Sequence, residues 1–269
     1  MKRIVIIGAG NVGYHLATGL CNDIAHYPWE ILIINRQANA VTEKLEKKNI
    51  PVKIGLNCIP NIADVYVICT KDDSIEEVAQ KLTGKVSEHS VVLHTSGAVE
   101  STVLKEFKNY GVLYPLYSFL HTENIDWSKI PLFIVGNNTY AGNNIQELAK
   151  NLHPKGYYII DDNLKLHIHL LAVMSNNFIN ALMHAVYRLS NELPDELNIY
   201  EIMKKFSVQT IERIKHYNPA DYQTGPAIRF DYNTIQKHLQ YLNQYPEIKQ
   251  LYLCFNQYIQ TAIADAGSK

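Results

Sequence analysis

Three glycines near the amino terminus are spaced for binding a diphosphate. Gly8-x-Gly10-x-x-Gly13 directly follows Ile4–Ile7, a β-branched run typical of a strand buried on both faces. In such a pattern the first glycine permits a tight turn, the second lets backbone amides approach phosphates, and the third lets helix and strand pack closely. A helix beginning at Asn11 would add free N–H groups and partial positive charge. The alternative is a plain structural turn. We predict a dinucleotide site that includes Gly8, Ala9, Gly10, Asn11, Val12 and Gly13.

The pair Asn35-Arg36 bears on which dinucleotide binds, since it ends the second predicted strand at Ile31–Ile34. An acid in this place accepts hydrogen bonds from the ribose 2′-OH in NAD-preferring folds. Here a neutral amide leaves room for a phosphate, which the guanidinium of Arg36 can hold with two parallel hydrogen bonds. The alternative is a solvated arginine at a strand end. The pair therefore favours NADP(H), with Asn35 and Arg36 as cofactor contacts.

Two further polar loops follow predicted strands. The strand at residues 65–70 leads into Lys71, and the strand at residues 90–94 leads into Thr95-Ser96-Gly97. Ligands of open α/β sheets bind beyond the carboxyl ends of the strands. Ordinary turn chemistry is the alternative for any single residue. We expect the cofactor to contact Thr70, Lys71, His94 and Thr95.

A polar face runs along the helix predicted over residues 164–193. At 100° per residue, His169, Asn176, Asn180 and His184 share one side. Amides and imidazoles suit a partly buried cleft or a subunit interface, and a structural hydrogen-bonded seam is the alternative. Imidazole titrates near neutrality, so His169 is the candidate acid or base. Asn177, which would orient the substrate, and Ser96 are the other candidate catalytic residues, and Asn176 is a candidate substrate contact. The opposite side is a candidate core face made by Leu171, Met174, Phe178, Leu182, Ala185 and Leu189.

The stretch from Thr224 to Asp231 carries a second candidate substrate contact. Gly225-Pro226 breaks the chain, and Asp231 or Asn233 can cap the following helix. Arg229 is then a fixed cation, suited either to an acidic substrate group or to a structural salt bridge.

The elements that must position these residues fall into two groups. Strands and helices alternate over residues 1–161, including a helix predicted at Val99–Tyr110. Beyond that come three long helical segments at 164–193, 198–216 and 231–264, the last broken at Tyr245-Pro246. This order predicts an α/β, Rossmann-like, doubly wound parallel sheet over residues 1–161 that binds NADP, followed by an all-α substrate and dimerisation domain over residues 162–269.

Composition limits the classes of partner. The chain has 269 residues, with 25 Lys and Arg against 26 Asp and Glu, so its net charge of −1 gives no reason to expect nucleic acid or an anionic membrane. We find no signal-peptide core and no membrane-span pattern. The cysteines Cys21, Cys58, Cys69 and Cys254 lie far apart, which predicts reduced thiols in a cytoplasmic protein and no metal site.

Together these residues resemble a family of NADP oxidoreductases with a Rossmann-like domain and an uncharacterised helical domain, distantly similar to pyrroline-5-carboxylate reductase and the 6-phosphogluconate dehydrogenase group. Tyr114 and Tyr117 stand where the family tends to have histidine and glutamine, and Phe230 replaces a glycine. The resemblance implies a helical domain like the carboxyl-terminal domain of 6-phosphogluconate dehydrogenase and a homodimer joined through it. It rests on the glycine pattern, residues 93–97 and 114–119, His169 with Ala172, Val173 and Asn177, and residues 224–226 with Arg229, Asp231 and His238.

The leading hypothesis is an oxidoreductase that moves hydride between NADP(H) and a small carbonyl, imine or hydroxy-acid substrate in an interdomain cleft. The related hydroxy-acid dehydrogenases are expected to pair a lysine with an asparagine one helical turn later, whereas here Lys165 is followed by His169. A non-catalytic NADP(H)-binding redox sensor or assembly protein is the alternative. The use of a deazaflavin in place of nicotinamide is suggested by the resemblance alone.

Overall fold

A computed structural model describes residues 2–21, 29–215 and 218–263. The chain divides into two compact units, Met1–Met174 and Ser175–Lys269, here called unit 1 and unit 2. The domain boundary predicted at 161/162 lies one helix earlier and stays a prediction. Among the described residues, none of the helices combines the length and the apolar character needed to cross a bilayer.

Unit 1 is built on an eight-stranded sheet with the order β3-β2-β1-β4-β5-β6-β7-β8. The strand order reverses between β1 and β4, which confirms the predicted doubly wound fold. In such folds ligands bind in the crevice at the carboxyl ends of the strands on either side of this switch point. The strands are β1 (Lys2–Ile7), β2 (Trp29–Asn35), β3 (Val52–Ile54), β4 (Val65–Ile68), β5 (Val91–His94), β6 (Asn109–Pro115), β7 (Pro131–Gly136) and β8 (Gly156–Ile159).

One strand pair departs from the predicted all-parallel sheet, because β6 and β7 are antiparallel. The residues between them form a single 3-10 turn at Trp127–Lys129 instead of a crossover helix. Parallel neighbours need a long crossover connection, whereas an antiparallel pair does not. The sheet is therefore mostly parallel, with a reversed strand beyond the switch point.

Helices cover both faces of this sheet. Alternate residues of β1 enter two different cores: Ile4 and Ile6 pack in the core that contains Leu16, and Val5 and Ile7 pack in the core that contains Val78. Burial on both faces explains the uninterrupted apolar run of this strand. The helices of unit 1 are α1 (Asn11–Cys21), α2 (Ala40–Lys47), α3 (Ile75–Leu82), α4 (Thr139–Lys150) and α5 (Asp162–Ala172).

Unit 2 is helical, as predicted. A π-helical segment, Val173–Asn177, interrupts the first predicted helix, and the chain breaks again before Pro246, which begins the last helix. The predicted ends at 216 and 264 lie outside the described residues. The helices are α6 (Phe178–Ser190), α7 (Ile199–Ile214), α8 (Tyr232–Tyr241) and α9 (Pro246–Tyr258).

The apolar stripe expected to form a core face is largely exposed. Phe178 is 55% exposed and Leu182 is 39% exposed, whereas Ala185 is buried. The core prediction for this face is therefore wrong for the chain by itself. Periodicity identifies an apolar stripe but not what covers it, and no described element of unit 2 covers Phe178.

Candidate functional site

Two of the three glycines are required by the fold itself. Gly8 has a φ of +110°, and a Cβ there would lie 2.6 Å from the carbonyl oxygen of Cys69. A Cβ on Gly13 would lie 2.0 Å from the carbonyl oxygen of Gly8, so α1 could not pack against the turn. These positions fit the roles predicted for the first and third glycines.

Gly10 has a different environment. It is exposed, and the nearest heavy atom to a Cβ would be the Cys69 carbonyl oxygen at 4.0 Å. The backbone there is not in the left-handed region. Nothing within the described chain thus requires a glycine at this position, which leads into the amino terminus of α1. Open space before a helix amino terminus is the arrangement that lets amides approach a phosphate.

Asn35 fixes the glycine turn to the neighbouring strand. Its Oδ1 accepts a hydrogen bond from the Ala9 N–H at 3.0 Å, and its Nδ2 donates to the Gln37 carbonyl at 2.6 Å. The Gly8 N–H donates to the Ile34 carbonyl at 2.8 Å. An amide serves here because one of its groups must accept and the other must donate, which a carboxylate cannot do.

Arg36 lies at the same edge of the sheet and is paired. Its Nη2 is 3.1 Å from Oε2 of Glu77 on α3, and the two side chains are 60% and 52% exposed. Ion pairs this exposed contribute only about 0–1 kcal/mol. A phosphate oxygen is therefore able to replace Glu77 as the partner of the guanidinium at small cost.

The end of β4 presents an unpartnered hydroxyl beside the glycine turn. Thr70 Oγ1 is buried and makes no hydrogen bond to the described chain. The Thr70 backbone nitrogen lies 3.1 Å from where a Cβ on Gly8 would be. Buried hydroxyls are normally bonded, so this atom fits a polar group of a bound ligand. The adjacent Cys69 is not an ionised ligand, because burial raises the pKa of its thiol to about 12. Lys71, the next predicted contact, is exposed.

His94 organises the loop that follows β5. It is fully buried, and the Ser96 N–H donates to its Nδ1 at 3.2 Å. Its Nε2 lies 3.3 Å from the Glu100 carbonyl, so this nitrogen carries the proton. Burial lowers the pKa of His94 to about 4, which agrees with a neutral ring. Both ring nitrogens are thus engaged within the loop.

The Ser96 hydroxyl is part of the same loop. Its Oγ accepts hydrogen bonds from the Ala98 and Val99 N–H groups at 3.1 and 3.0 Å. This ST turn draws the backbone into a tight bend. The hydroxyl retains its proton for donation, so the geometry leaves Ser96 able to donate to a ligand.

A buried ion pair at the start of α5 also holds this loop. Lys165 is 1% exposed, lies 3.3 Å from Asp162 Oδ1 and donates to the Val99 carbonyl. Asp162 accepts from the Ser101 N–H at 3.0 Å and from its hydroxyl at 2.6 Å. Desolvation lowers the pKa of Lys165, and the charge of Asp162 opposes this shift. Lys165 is therefore buried under the loop.

His169 lies on α5 against the loop and the end of β6. Its Nδ1 is 3.2 Å from the Tyr114 hydroxyl, and the two rings meet edge to face with centroids 5.8 Å apart. A Cβ on Gly97 would lie 2.6 Å from the His169 Nδ1 and 2.8 Å from the Tyr114 ring. Gly97 is therefore the residue that allows this contact.

The loop that contacts the amino terminus of α1 could not be predicted from the sequence. Asn11 Oδ1 accepts from the His121 N–H at 3.1 Å and lies 2.9 Å from its Nδ1. His15 Nε2 lies 2.9 Å from the Leu120 carbonyl, and burial lowers the pKa of His15. These contacts bring a second imidazole, His121, beside the glycine turn. A histidine in an irregular loop has no periodic pattern that would have identified it.

The remaining predicted residues belong to unit 2. Asn176 and Asn177 are exposed at the end of the π-helical segment. Arg229, shortly after the predicted break at Gly225-Pro226, is also exposed. Asp231 caps α8 as predicted, accepting from the Thr234 N–H at 3.1 Å, and its bonds to Thr234 lower its pKa. Phe230 has a φ of +56°, in the left-handed region that favours glycine.

Unit 2 also contains an apolar cavity of about 310 Å³. Helices α6 and α9 and the stretch from Thr224 to Ala227 provide its walls. Asn256, at the cavity wall, donates through Nδ2 to the Tyr252 carbonyl at 2.7 Å, and its buried Oδ1 makes no hydrogen bond within the described chain.

Comparison with known protein families gives two matches. Residues 3–97 match the family described as NADP oxidoreductase coenzyme F420-dependent. Residues 130–259 match a domain of unknown function, DUF2520. A search of curated proteins gives no match.

Solved structures match over almost the whole chain. The "putative NADP oxidoreductase" of Bacteroides fragilis is 27% identical, with a TM-score of 0.85 over 96% of this chain and 98% of that one. A Thermotoga maritima protein is 20% identical, with a TM-score of 0.65 over 99% and 100% of the two chains. The pyrroline carboxylate reductase of Plasmodium falciparum, solved with NADP bound, is 12% identical, with a TM-score of 0.58 over 98% of both chains. The last two likenesses concern the fold.

These matches agree with the glycine turn, the sheet order and the helical second unit, and they confirm the family resemblance. Residues 3–97 are thus similar to the NADP oxidoreductase coenzyme F420-dependent family, and residues 130–259 are similar to DUF2520.

Proposed function

We propose that this protein is an NADP(H)-dependent oxidoreductase acting on a small carbonyl, imine or hydroxy-acid substrate. The observation that carries the proposal is the exposed Gly10 at the amino terminus of α1, with the unpartnered Thr70 hydroxyl beside it. The first feature suits a diphosphate and the second suits a polar group of the same ligand. The family match over residues 3–97 supports this choice of ligand class.

Arg36 supports the phosphorylated nucleotide. It follows Asn35 at the end of β2, where NAD-preferring folds place an acid. Its guanidinium pairs with Glu77 on α3 and is exposed, so it is accessible to a phosphate. In the proposed complex, Arg36 binds the 2′-phosphate, and the amides of residues 8–13 bind the diphosphate.

The nicotinamide, when bound, supplies the hydride, so the chain has to orient the substrate and exchange one proton. We assign the proton to His169, which is half-buried beside Gly97 at the carboxyl edge of the sheet. Ser96 is the hydroxyl donor on the same loop. Asn176, Asn177 and Arg229 remain proposed substrate contacts from unit 2.

The test is a calorimetric titration with NADPH, NADH and a deazaflavin, followed by a search for substrates that oxidise NADPH. We expect NADPH to bind more tightly than NADH. We expect His169→Ala to bind NADPH as the wild type does and to lose turnover. If NADPH does not bind, or if only the deazaflavin binds, the proposal is wrong.

One observation favours a non-catalytic NADP(H)-binding sensor or assembly protein. Lys165, the residue that corresponds to a catalytic lysine in the expected hydroxy-acid dehydrogenase pairing, is 1% exposed and bonded beneath a loop. A sensor requires no proton donor. If NADPH binds but no carbonyl, imine or hydroxy acid is turned over, and His169→Ala leaves NADPH affinity unchanged, the sensor is the better description.

We also propose that a second copy of the chain covers unit 2. Phe206 on α7 is 62% exposed, and its neighbour Val208 is 60% exposed. Phe178 and Leu182 on α6 are exposed as well, and large exposed apolar side chains are typical of surfaces that bind a partner. Light scattering after gel filtration should give a dimer, and Phe206→Lys should shift the protein toward monomer. A wild-type monomer would contradict the proposal.

A further inference from the structure

The buried hydroxyl of Tyr114 supports an inference beyond the proposed function. Its side chain is 8% exposed at the end of β6. The described chain gives its hydroxyl one partner, Nδ1 of His169, at 3.2 Å.

We propose that Tyr114 is a positioning residue that occupies Nδ1 of His169 and thereby makes Nε2 the atom that exchanges a proton with the substrate. The inference rests on the proposed function for the meaning of that proton. The geometry of the pair stands without it.

Three contacts hold the pair in one arrangement. The hydrogen bond fixes the distance, and the edge-to-face packing of the two rings, with centroids 5.8 Å apart, fixes their relative orientation. Gly97 fixes their position against the loop, because a Cβ there would collide with both rings. Rotation of the imidazole about its bonds would break the hydrogen bond and the ring contact together.

The phenol is suited to hold Nδ1 in both protonation states of the histidine. A hydroxyl both donates and accepts. Tyr114 therefore donates to Nδ1 of the neutral ring and accepts from the Nδ1–H of the imidazolium. Burial raises the pKa of Tyr114, so the phenol keeps its own proton and does not compete as an acid.

The proton balance of a reduction follows from this arrangement. The substrate carbon gains the hydride with its electron pair, and the substrate oxygen or nitrogen gains the proton from Nε2 of the imidazolium. His169 is left neutral with its proton on Nδ1, still bonded to Tyr114, and regains a proton at Nε2 from solvent.

The test uses the nucleotide-free protein and needs no substrate. Long-range ¹⁵N–¹H NMR at pH 9, where an ordinary imidazole is neutral, reports which ring nitrogen carries the proton. In the wild type we expect one tautomer for His169, with the proton on Nε2 and a hydrogen-bonded Nδ1. Tyr114→Phe keeps the ring and removes the hydroxyl, so we expect the His169 signals to move to those of a tautomer mixture.

Tyr117→Phe is the matched control, because Tyr117 is an exposed neighbour that packs on Phe119. We expect its His169 signals to match the wild type. A tautomer mixture in the wild type would overturn the inference even if Tyr114→Phe fails to fold, and unchanged signals in Tyr114→Phe would overturn it as well. If NADPH does not bind while the single tautomer is seen, the proposed function fails and the positioning role of Tyr114 stands.

Discussion

Replacing Gly10 by alanine should separate folding from nucleotide binding. The backbone at Gly10 is outside the left-handed region, and a Cβ would be 4.0 Å from the nearest heavy atom, an ordinary contact. Alanine therefore fits the folded chain and restricts the unfolded one. We expect the free energy of unfolding to stay the same or to rise by about 0.4–1 kcal/mol.

The same methyl group should weaken NADPH binding, because it occupies the space through which the diphosphate approaches the amides. Loss of one hydrogen bond to a charged group costs about 1.5–3 kcal/mol. This corresponds to a Kd roughly 10-fold to 150-fold higher. Calorimetry at fixed salt measures the affinity, and urea unfolding without nucleotide measures the stability.

Two variants control this experiment. Gly13→Ala places a Cβ 2.0 Å from the Gly8 carbonyl oxygen, so it should lower stability, by roughly 1–3 kcal/mol for an overpacked core. Gly142→Ala lies in α4 with nothing within 4 Å of its Cβ and should leave NADPH affinity unchanged. If Gly10→Ala binds NADPH as tightly as the wild type, the diphosphate does not approach the chain at this turn, and our interpretation of the glycines is refuted.

Three further variants test other parts of the structure. Glu77→Gln removes the exposed partner of Arg36 and should tighten NADPH binding by about 1.4-fold to 5-fold, which is the value of a surface ion pair. NADH affinity should not change, and the control Glu76→Gln should bind NADPH as the wild type does. Weaker NADPH binding by Glu77→Gln would contradict this. His94 has a pKa of about 4 in the folded protein, so on acidification it takes up a proton in the unfolded chain first. The wild type should therefore lose roughly 3 kcal/mol of stability between pH 7 and pH 4, compared with His94→Gln. Urea-unfolding measurements that give parallel pH profiles for the two proteins would contradict this. Phe230→Gly relieves a left-handed backbone and should raise stability by up to about 1 kcal/mol in thermal unfolding, whereas a lower Tm would show that the exposed phenyl ring has stabilising contacts.

The first half of the fold could be predicted because its signals are local. The β-branched run at residues 4–7 marks a strand buried on both faces, and Gly8 and Gly13 are explained by the backbone contacts that a Cβ would break. The fold class followed from the alternation of such runs with helices. Each of these inferences needs only neighbouring residues.

The wrong predictions concern segments whose structure depends on contacts with residues far away in the sequence. The helix predicted at Val99–Tyr110 is a 3-10 turn at Ser101–Leu104, because Asp162, far along the chain, binds the Ser101 backbone and hydroxyl. The direction of β7 could likewise not be predicted from its apolar run, because a buried strand has the same pattern whether it is parallel or antiparallel to its neighbour.

The candidate site shows the same division. The glycine turn and the polar loops after β4 and β5 lie where the sequence predicts. The burial of Lys165 and the pairing of His169 with Tyr114 could not be predicted, because each joins residues far apart in sequence. Periodicity also identified the apolar face containing Phe178 but not that this chain leaves it exposed.

The most direct test of the central claim compares NADPH and NADH binding in the wild type and in Arg36→Ala by calorimetry. We expect the wild type to prefer NADPH, and we expect Arg36→Ala to lose most of that preference, roughly 10-fold or more, with NADH affinity unchanged. An absence of binding heat with both nucleotides, or an equal preference in both proteins, would contradict the assignment of the glycine turn and Arg36 to NADP(H).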